Sequence, residues 1–126
     1  MFTCRQVVWY CWLLLAALVL PAQAAHATSD AGIDFAQSVL QAESVCPADV
    51  ERHLSRLRTI SMELEATGTI VGDERQKAAA IHRFVHAEVL SGEYSADAHT
   101  LSGLLDSGRF NCLSATLLFF VLAAPY

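Results

Sequence analysis

A cysteine opens the apolar stretch near the carboxyl end of the chain, in GRFNCLSATLLFFVLA at 108–123. The apolar run predicts a helix that begins at Cys112, and Gly108 and Asn111 are residue types suited to a tight turn before it. Unpaired amides and the helix dipole favour a thiolate at such a position. The same amides can hold the oxyanion that forms when a thiolate attacks a carbonyl. The pattern therefore gives Cys112 a physical reason to react as a nucleophile.

A disulfide is the alternative role for this thiol. Cys4 and Cys11 lie in the amino-terminal apolar segment, which leaves Cys46 and Cys112 in the rest of the chain. Two cysteines permit one disulfide, and a Cys46–Cys112 disulfide would leave no free thiol at Cys112 to act as a nucleophile. The absence of a C-x-x-C pair disfavours a structural zinc site and a redox role.

Histidines upstream of Cys112 are candidate bases, because a Cys–His pair requires only proximity in space. Two of them are four residues apart and share a helix face, as in some zinc sites. The glutamate and the third ligand of that zinc motif are absent, so the pattern favours surface histidines and predicts no metal or other cofactor. The four candidates are His53, His82, His86 and His99.

The amino-terminal segment has the layout of a secretory signal peptide. MFTCRQ carries one positive charge and no acid, and VVWYCWLLLAALVL follows without any charge. An A-x-A pattern at 22–24 predicts a signal peptide over residues 1–24, and a second A-x-A at 25–27 leaves the cleavage site uncertain by about three residues. The alternative is an uncleaved membrane anchor, although fourteen apolar residues fall short of the roughly twenty that span a bilayer. We expect an exported protein, periplasmic or secreted, with no stable membrane span after cleavage.

The charge of the chain is acidic, with a formal net charge of −5. Loss of residues 1–24 removes Arg5 and none of the 13 acids, so the mature charge becomes −6. Nucleic-acid binding requires a basic face that neutralises phosphates, and the sequence has no cluster of Lys or Arg that would form one. We therefore expect no nucleic-acid partner.

The remaining sequence predicts helices separated by turns. Residues 25–48 are expected to form a small polar leader and a short first helix over 35–43, and 49–126 the domain itself. Apolar spacing predicts a helix over 48–66 and another over 73–90 with Asp73 as its N-cap. A short helix over 101–105 precedes the one that starts at Cys112. The predicted buried residues of the two longer helices are Val50, Leu54, Leu57, Ile60 and Leu64, then Ala78, Ile81, Phe84, Val85 and Val89.

The last helix is apolar on almost every side, which predicts that it is buried in a core. At about a dozen residues it is too short to cross a membrane. No run of alternating apolar residues indicates a β-strand. We therefore predict a mainly α fold in which further elements are needed to cover the last helix.

The segment LLDSGRFNCLSATLLFFVLA resembles the nucleophile segment of the transglutaminase-like superfamily, in which a glycine-containing turn precedes a cysteine that opens a buried helix. The similarity extends over 74–123 and is to bacterial exported transglutaminase-like proteins. The resemblance implies an α+β, papain-like cysteine fold, of which 49–126 would be the helical N-terminal part without its sheet. Phe110 and Asn111 depart from the smaller residue or second glycine of many members.

The resemblance implies that Cys112 is the nucleophile of acyl transfer through a thioester, with a protein or peptide amide as the substrate class. Its partners would be a histidine on a strand after the cysteine helix and an aspartate or asparagine on the next strand. The chain ends at Tyr126. We therefore expect a truncated protein without catalysis. The alternative is a small exported helical protein that binds a partner through the apolar surface left uncovered.

Overall fold

The computed structural model describes residues 30–126, and this part of the chain is mainly α-helical, as predicted. It contains no β-strand; its only strand-like pairing is an isolated parallel bridge between Tyr94 and Phe110. The predicted signal peptide and the start of the leader lie outside the described residues. The helices are α1 over 30–42, α2 over Pro47–Ala66, α3 over Glu74–Phe84 with a π-helical continuation over Val85–Val89, α4 over Leu101–Ser107, and α5 over Cys112–Ala123.

Helix α1 starts earlier than the predicted 35–43, because residues assigned to the leader are helical and pack on α5. Ala36 and Leu40 are fully buried in the core. Gly32 lies so close to α5 that a Cβ there would collide with the backbone carbonyl oxygen of Val121. Residues 30–33 of the predicted leader are therefore helical, and Gly32 allows α1 and α5 to approach closely.

Helix α2 confirms its prediction. Pro47 occupies the first turn, where its missing N–H costs no hydrogen bond, and Asp49 in that turn faces the positive end of the helix dipole. The five predicted apolar residues are all buried. His53 is buried with them, although it was not among the predicted buried residues.

Helix α3 begins with the predicted cap. The Asp73 carboxylate accepts from the Gln76 amide at 2.8 Å, and the Gln76 side chain accepts from the Asp73 amide at 3.0 Å. This reciprocal pair satisfies two amides that would otherwise lack partners. Four of the five residues predicted on its buried face are buried; Ala78 is half-buried and Ala80 lies in the core instead.

Helix α4 is held by Glu43, which lies in the turn that follows α1. The Glu43 carboxylate accepts from the Leu101 amide at 2.6 Å and from the Ser102 amide at 3.0 Å. The Thr100 hydroxyl accepts from Gly103. An anionic cap on a helix N-terminus is favoured by the helix dipole, so this contact fixes α4 relative to α1.

Helix α5 corrects one prediction, because it is buried on one face only. It packs against α3 and α4, with Ser114, Leu118, Val121 and Leu122 buried. On the opposite face Leu113 is 52% exposed and Phe120 61% exposed. Since helical neighbours cover only part of its circumference, the uniform apolar composition did not predict which side would face solvent.

No helix within residues 30–126 has the length and apolarity required to cross a membrane.

Candidate functional site

The turn before Cys112 depends on a glycine in a left-handed conformation. Gly108 caps the end of α4 with φ of 71°, which residues with a Cβ rarely adopt. Its amide donates to the Leu104 carbonyl at 2.8 Å, and its carbonyl accepts from the Gly92 amide at 3.1 Å. The chain therefore reverses at Gly108 and runs alongside the segment 91–98.

This neighbouring segment supports the residues that lead to Cys112. The Ser95 amide donates to the Phe110 carbonyl at 2.8 Å, and the Arg109 guanidinium donates to the Ser95 hydroxyl at 2.8 Å. Tyr94 forms the parallel bridge with Phe110. The loop between the π-helical turn and α4 therefore acts as a short support for the start of α5.

Asn111 caps α5. Its side-chain oxygen accepts from the amides of Leu113 at 2.9 Å and Ser114 at 3.1 Å, and its side-chain nitrogen donates to the Ala96 carbonyl at 3.1 Å. The Ser114 hydroxyl accepts from the Asn111 amide and donates to the Ala98 carbonyl at 2.7 Å. Both side chains are buried. The first turn of α5 is thus rigidly attached to the loop at 96–98.

Cys112 is the first residue of α5, and its thiol is free and exposed. No hydrogen bond to this thiol occurs within residues 30–126. The helix N-terminus places positive potential at the thiol, and such potential stabilises an anion. The location agrees with the prediction from the sequence.

The predicted oxyanion donors require a correction. The amides of Leu113 and Ser114 are occupied by the Asn111 side chain and are not available to a substrate. The Cys112 amide has no acceptor in the described part of the chain. Asn111 therefore leaves one amide of the first helical turn, that of Cys112 itself, free to contact an oxyanion.

Cys112 lines an open groove of about 470 Å³ together with residues from three other parts of the chain. α3 contributes His82, the π-helical turn contributes Val85 and His86, and the loop before α4 contributes Tyr94. The rest comes from the turn before α5 and from α5 itself: Phe110, Asn111, Ala115, Thr116 and Phe119. The fold thus brings the thiol to two histidines and several aromatic rings.

The candidate bases divide into two groups. The rings of His82 and His86 lie 4.4 Å apart between centroids in the wall of the Cys112 groove. Neither donates to or accepts from the Cys112 thiol. His53 is buried between α2 and α4, and His99 is exposed in the loop before α4. Only His82 and His86 share a cavity with the predicted nucleophile.

The two histidines do not form a complete metal site. In the region that the structure describes, no three His, Cys, Asp or Glu side chains are placed to hold one ion. Their i and i+4 spacing places the two rings next to each other, and both side chains are exposed.

The disulfide alternative is not formed, since Cys46 and Cys112 are both free and exposed. Cys46 precedes α2, and its thiol donates to the Asp49 carboxylate at 2.9 Å. This hydrogen bond, followed by that from Arg52, lowers the pKa of Asp49. The two thiols therefore differ in environment: Cys46 has a carboxylate acceptor, and Cys112 faces an uncharged groove.

A second polar cluster joins α2 to α4 and was not predicted. Asp106 accepts from the Arg52 guanidinium at 2.6 Å and lies 3.0 Å from Nε2 of His53. The Arg52 hydrogen bond, and to a lesser extent the His53 contact, lowers the pKa of Asp106 although partial burial opposes them. His53 lies three residues after Val50 and four before Leu57, so its position on the apolar face could have predicted its burial.

Comparison of the chain with known protein families, with curated proteins and with solved structures finds no match.

Proposed function

We propose that this chain carries the nucleophile of a thiol-dependent acyl-transfer protein of the transglutaminase-like kind, with Cys112 as the attacking residue. The observation that carries the proposal is the position of Cys112: a free, exposed thiol on the first turn of a rigidly capped helix, in the wall of a groove. A capped helix start holds the thiol in one place and favours its anion. The resemblance over 74–123 supports the same role.

The chemistry would proceed through a thioester. In the proposed reaction the Cys112 thiolate attacks an amide or ester carbonyl, and the Cys112 amide, which has no acceptor within residues 30–126, donates to the oxyanion. Collapse of the tetrahedral adduct breaks the bond to the leaving amine or alcohol, which takes a proton. A second amine or water then attacks the thioester and regenerates the thiol. Transfer of the acyl group to an amine joins two molecules through an amide bond, and transfer to water hydrolyses the original amide or ester.

The proposed reaction also requires a group that accepts the proton of the Cys112 thiol. The resemblance implies a histidine oriented by an aspartate or asparagine, both on strands that follow the cysteine helix. Residues 30–126 contain no strand after α5. His82 and His86 share the groove and are the groups of the described chain that could accept the thiol proton there.

Site-resolved alkylation tests the activation of Cys112. The full chain is treated with limiting iodoacetamide near neutral pH, folded and in urea, and each cysteine is followed by peptide mass. We expect Cys112 to react about tenfold faster in the folded chain than in urea, because the helix N-terminus favours its thiolate. Cys46 is the control, since it is equally free and donates its proton to Asp49. A folded rate for Cys112 no higher than its rate in urea would contradict the proposal.

The exposed face of α5 favours a second function, that of a helical binding protein. Phe35 of α1 and Phe120 of α5 are both exposed, and their ring centroids lie 6.4 Å apart. Leu113 is exposed on the same helix. Neighbouring exposed apolar side chains of this kind are typical of an interface. Retained partner binding by a Cys112→Ser variant with no acyl-transfer activity would favour this function over catalysis.

A further inference from the structure

Three aromatic rings form a corner in the wall of the Cys112 groove. The Phe110 ring lies 6.5 Å from His86 and 6.0 Å from Tyr94 between centroids, and it is nearly perpendicular to both, at 87° and 88°. The three residues come from the turn before α5, the π-helical turn and the loop before α4. We refer to His86, Tyr94 and Phe110 as the aromatic corner.

Apart from His82 and His86, no side chain with an acidic or basic group other than the Cys112 thiol and the Tyr94 hydroxyl lines the groove that contains the aromatic corner. No Lys, Arg, Asp or Glu contributes to its wall, and Val85, Ala115 and Phe119 complete its apolar surface. Other cavities of the described chain differ: one of about 460 Å³ is lined by Glu63, Arg83 and Glu88 among others. A cationic group placed in the Cys112 groove would lose water without gaining an acidic partner, because no Asp or Glu lines the groove.

We propose that the aromatic corner is a specificity subsite that binds an uncharged aromatic group attached to the carbonyl attacked by Cys112. The inference rests on the proposed function, because the group is defined by its bond to the reacting carbonyl. A wall without Asp or Glu favours an uncharged ring over a cationic group. The perpendicular rings present edges and a face to a further ring, and aromatic pairs prefer such edge-to-face arrangements to simple apolar contact.

The arrangement also explains why the subsite is preformed. Phe110 is anchored on both sides, by the Ser95 amide at its carbonyl and by the Asn111 cap that follows it. The turn that places the thiol therefore also places the central ring of the corner. A bound aromatic group would not have to order the Phe110 backbone, so no binding free energy is lost in fixing that part of the subsite.

Matched chloroacetamides test the subsite on the full chain. In each reaction the Cys112 sulfur attacks the methylene carbon, a C–S bond forms, chloride leaves, and the thiol proton passes to solvent. N-benzyl-chloroacetamide carries the aromatic group, and N-cyclohexylmethyl-chloroacetamide carries an apolar group of similar size. We expect the benzyl reagent to alkylate Cys112 about threefold to tenfold faster than the cyclohexylmethyl reagent, and Cys46 in the same molecules to show no preference. Equal rates at Cys112 overturn the proposal.

A charged reagent tests the second half of the proposal. N-[2-(trimethylammonio)ethyl]-chloroacetamide carries a fixed positive charge where the other reagents carry a ring. For each reagent, the alkylation rate of Cys112 in the folded chain is divided by its rate in the chain unfolded in urea. We expect this ratio to be lowest for the charged reagent. A ratio as high as that of the benzyl reagent overturns the requirement for an uncharged group.

Leucine variants assign the preference to the corner. Phe110→Leu and Tyr94→Leu retain apolar bulk but remove a ring, and each is expected to bring the benzyl-to-cyclohexylmethyl rate ratio at Cys112 close to one. Tyr126→Leu is the matched control, because Tyr126 is exposed but lines a different cavity, and it should keep the ratio. A ratio that survives in Tyr94→Leu overturns the proposal even if Phe110→Leu does not fold, since Tyr94 is 61% exposed.

The two proposals fail separately in these experiments. The iodoacetamide rate of Cys112, folded against unfolded, measures activation of the thiol. The ratio of two neutral reagents measures recognition of the attached group and does not depend on activation, because both reagents meet the same thiol.

Discussion

At the scale of single residues, Asn111 determines how Cys112 is presented. Its side chain occupies two amides of the first helical turn and reaches the Ala96 carbonyl. A residue without a side-chain oxygen at this position would leave those two amides without this acceptor. Asn111 therefore fixes the start of the helix and at the same time removes two amides that could otherwise donate to a ligand.

Replacement of Asn111 tests this role. We expect Asn111→Ala to lower the free energy of unfolding by roughly 1–2 kcal/mol, because the cap is lost and the Leu113 and Ser114 amides have no acceptor. Urea denaturation measures the change. Asn111→Asp is the matched control: it keeps an oxygen for both amides and loses only the donor to Ala96, so it should cost less. An alanine variant as stable as the parent would show that water replaces the cap at no cost.

At the scale of elements, polar side chains fix α4 between two other helices. Glu43, in the turn after α1, joins the N-terminus of α4 to that turn, and Asp106 joins the last turn of α4 to Arg52 and His53 of α2. α4 has only seven residues, and a helix of this length is not stable alone. Its position, and with it the turn that leads to Cys112, depends on these contacts and on burial of Leu101 and Leu104.

Acid titration tests the Asp106 contact. Because the pKa of Asp106 is lowered in the folded chain, its contribution to stability is complete above the ordinary pKa of an aspartate, about 3.9, and is lost as pH falls through the lowered value. We expect Asp106→Asn to lower the urea midpoint near pH 5 and to match the parent near pH 2. Since Asp106 is partly exposed, the difference should not exceed about 1 kcal/mol.

An exposed acid outside the cluster provides the control for this titration. Asp97→Asn removes a carboxylate from the loop before α4, and its urea midpoint should differ little from that of the parent at every pH. If Asp106→Asn differed from the parent by the same amount near pH 2 as near pH 5, the carboxylate charge would not be the cause.

At the scale of the whole molecule, α5 has one buried and one exposed face, and this division is testable. Leu118→Ala should lower the free energy of unfolding by roughly 2–5 kcal/mol, because a fully buried side chain leaves a cavity. Phe120→Gln, two residues away, should change it by less than about 1 kcal/mol, because the ring is 61% exposed. Urea denaturation of both variants measures the contrast. Equal losses would mean that α5 is enclosed on all sides, as its composition alone predicts.

The sequence by itself determined the helices and most of their buried residues, because these follow from local rules. Apolar spacing of three and four residues predicted the buried face of α2, and Asp73 was identifiable as the α3 cap from its type and position. Cys112 was identifiable as the first residue of α5 in the same way. Such features depend on neighbours within a turn or two of the chain.

Only the tertiary structure decided which surfaces and side chains meet. The uniform apolar composition of α5 has no preferred side, so its exposed face depends on where α3 and α4 pack. The partner of the His53 ring nitrogen is Asp106, which lies 53 residues later in the chain. The aromatic corner likewise joins the π-helical turn, a loop and the turn before α5. These contacts are set by packing between distant segments, and no local spacing encodes them.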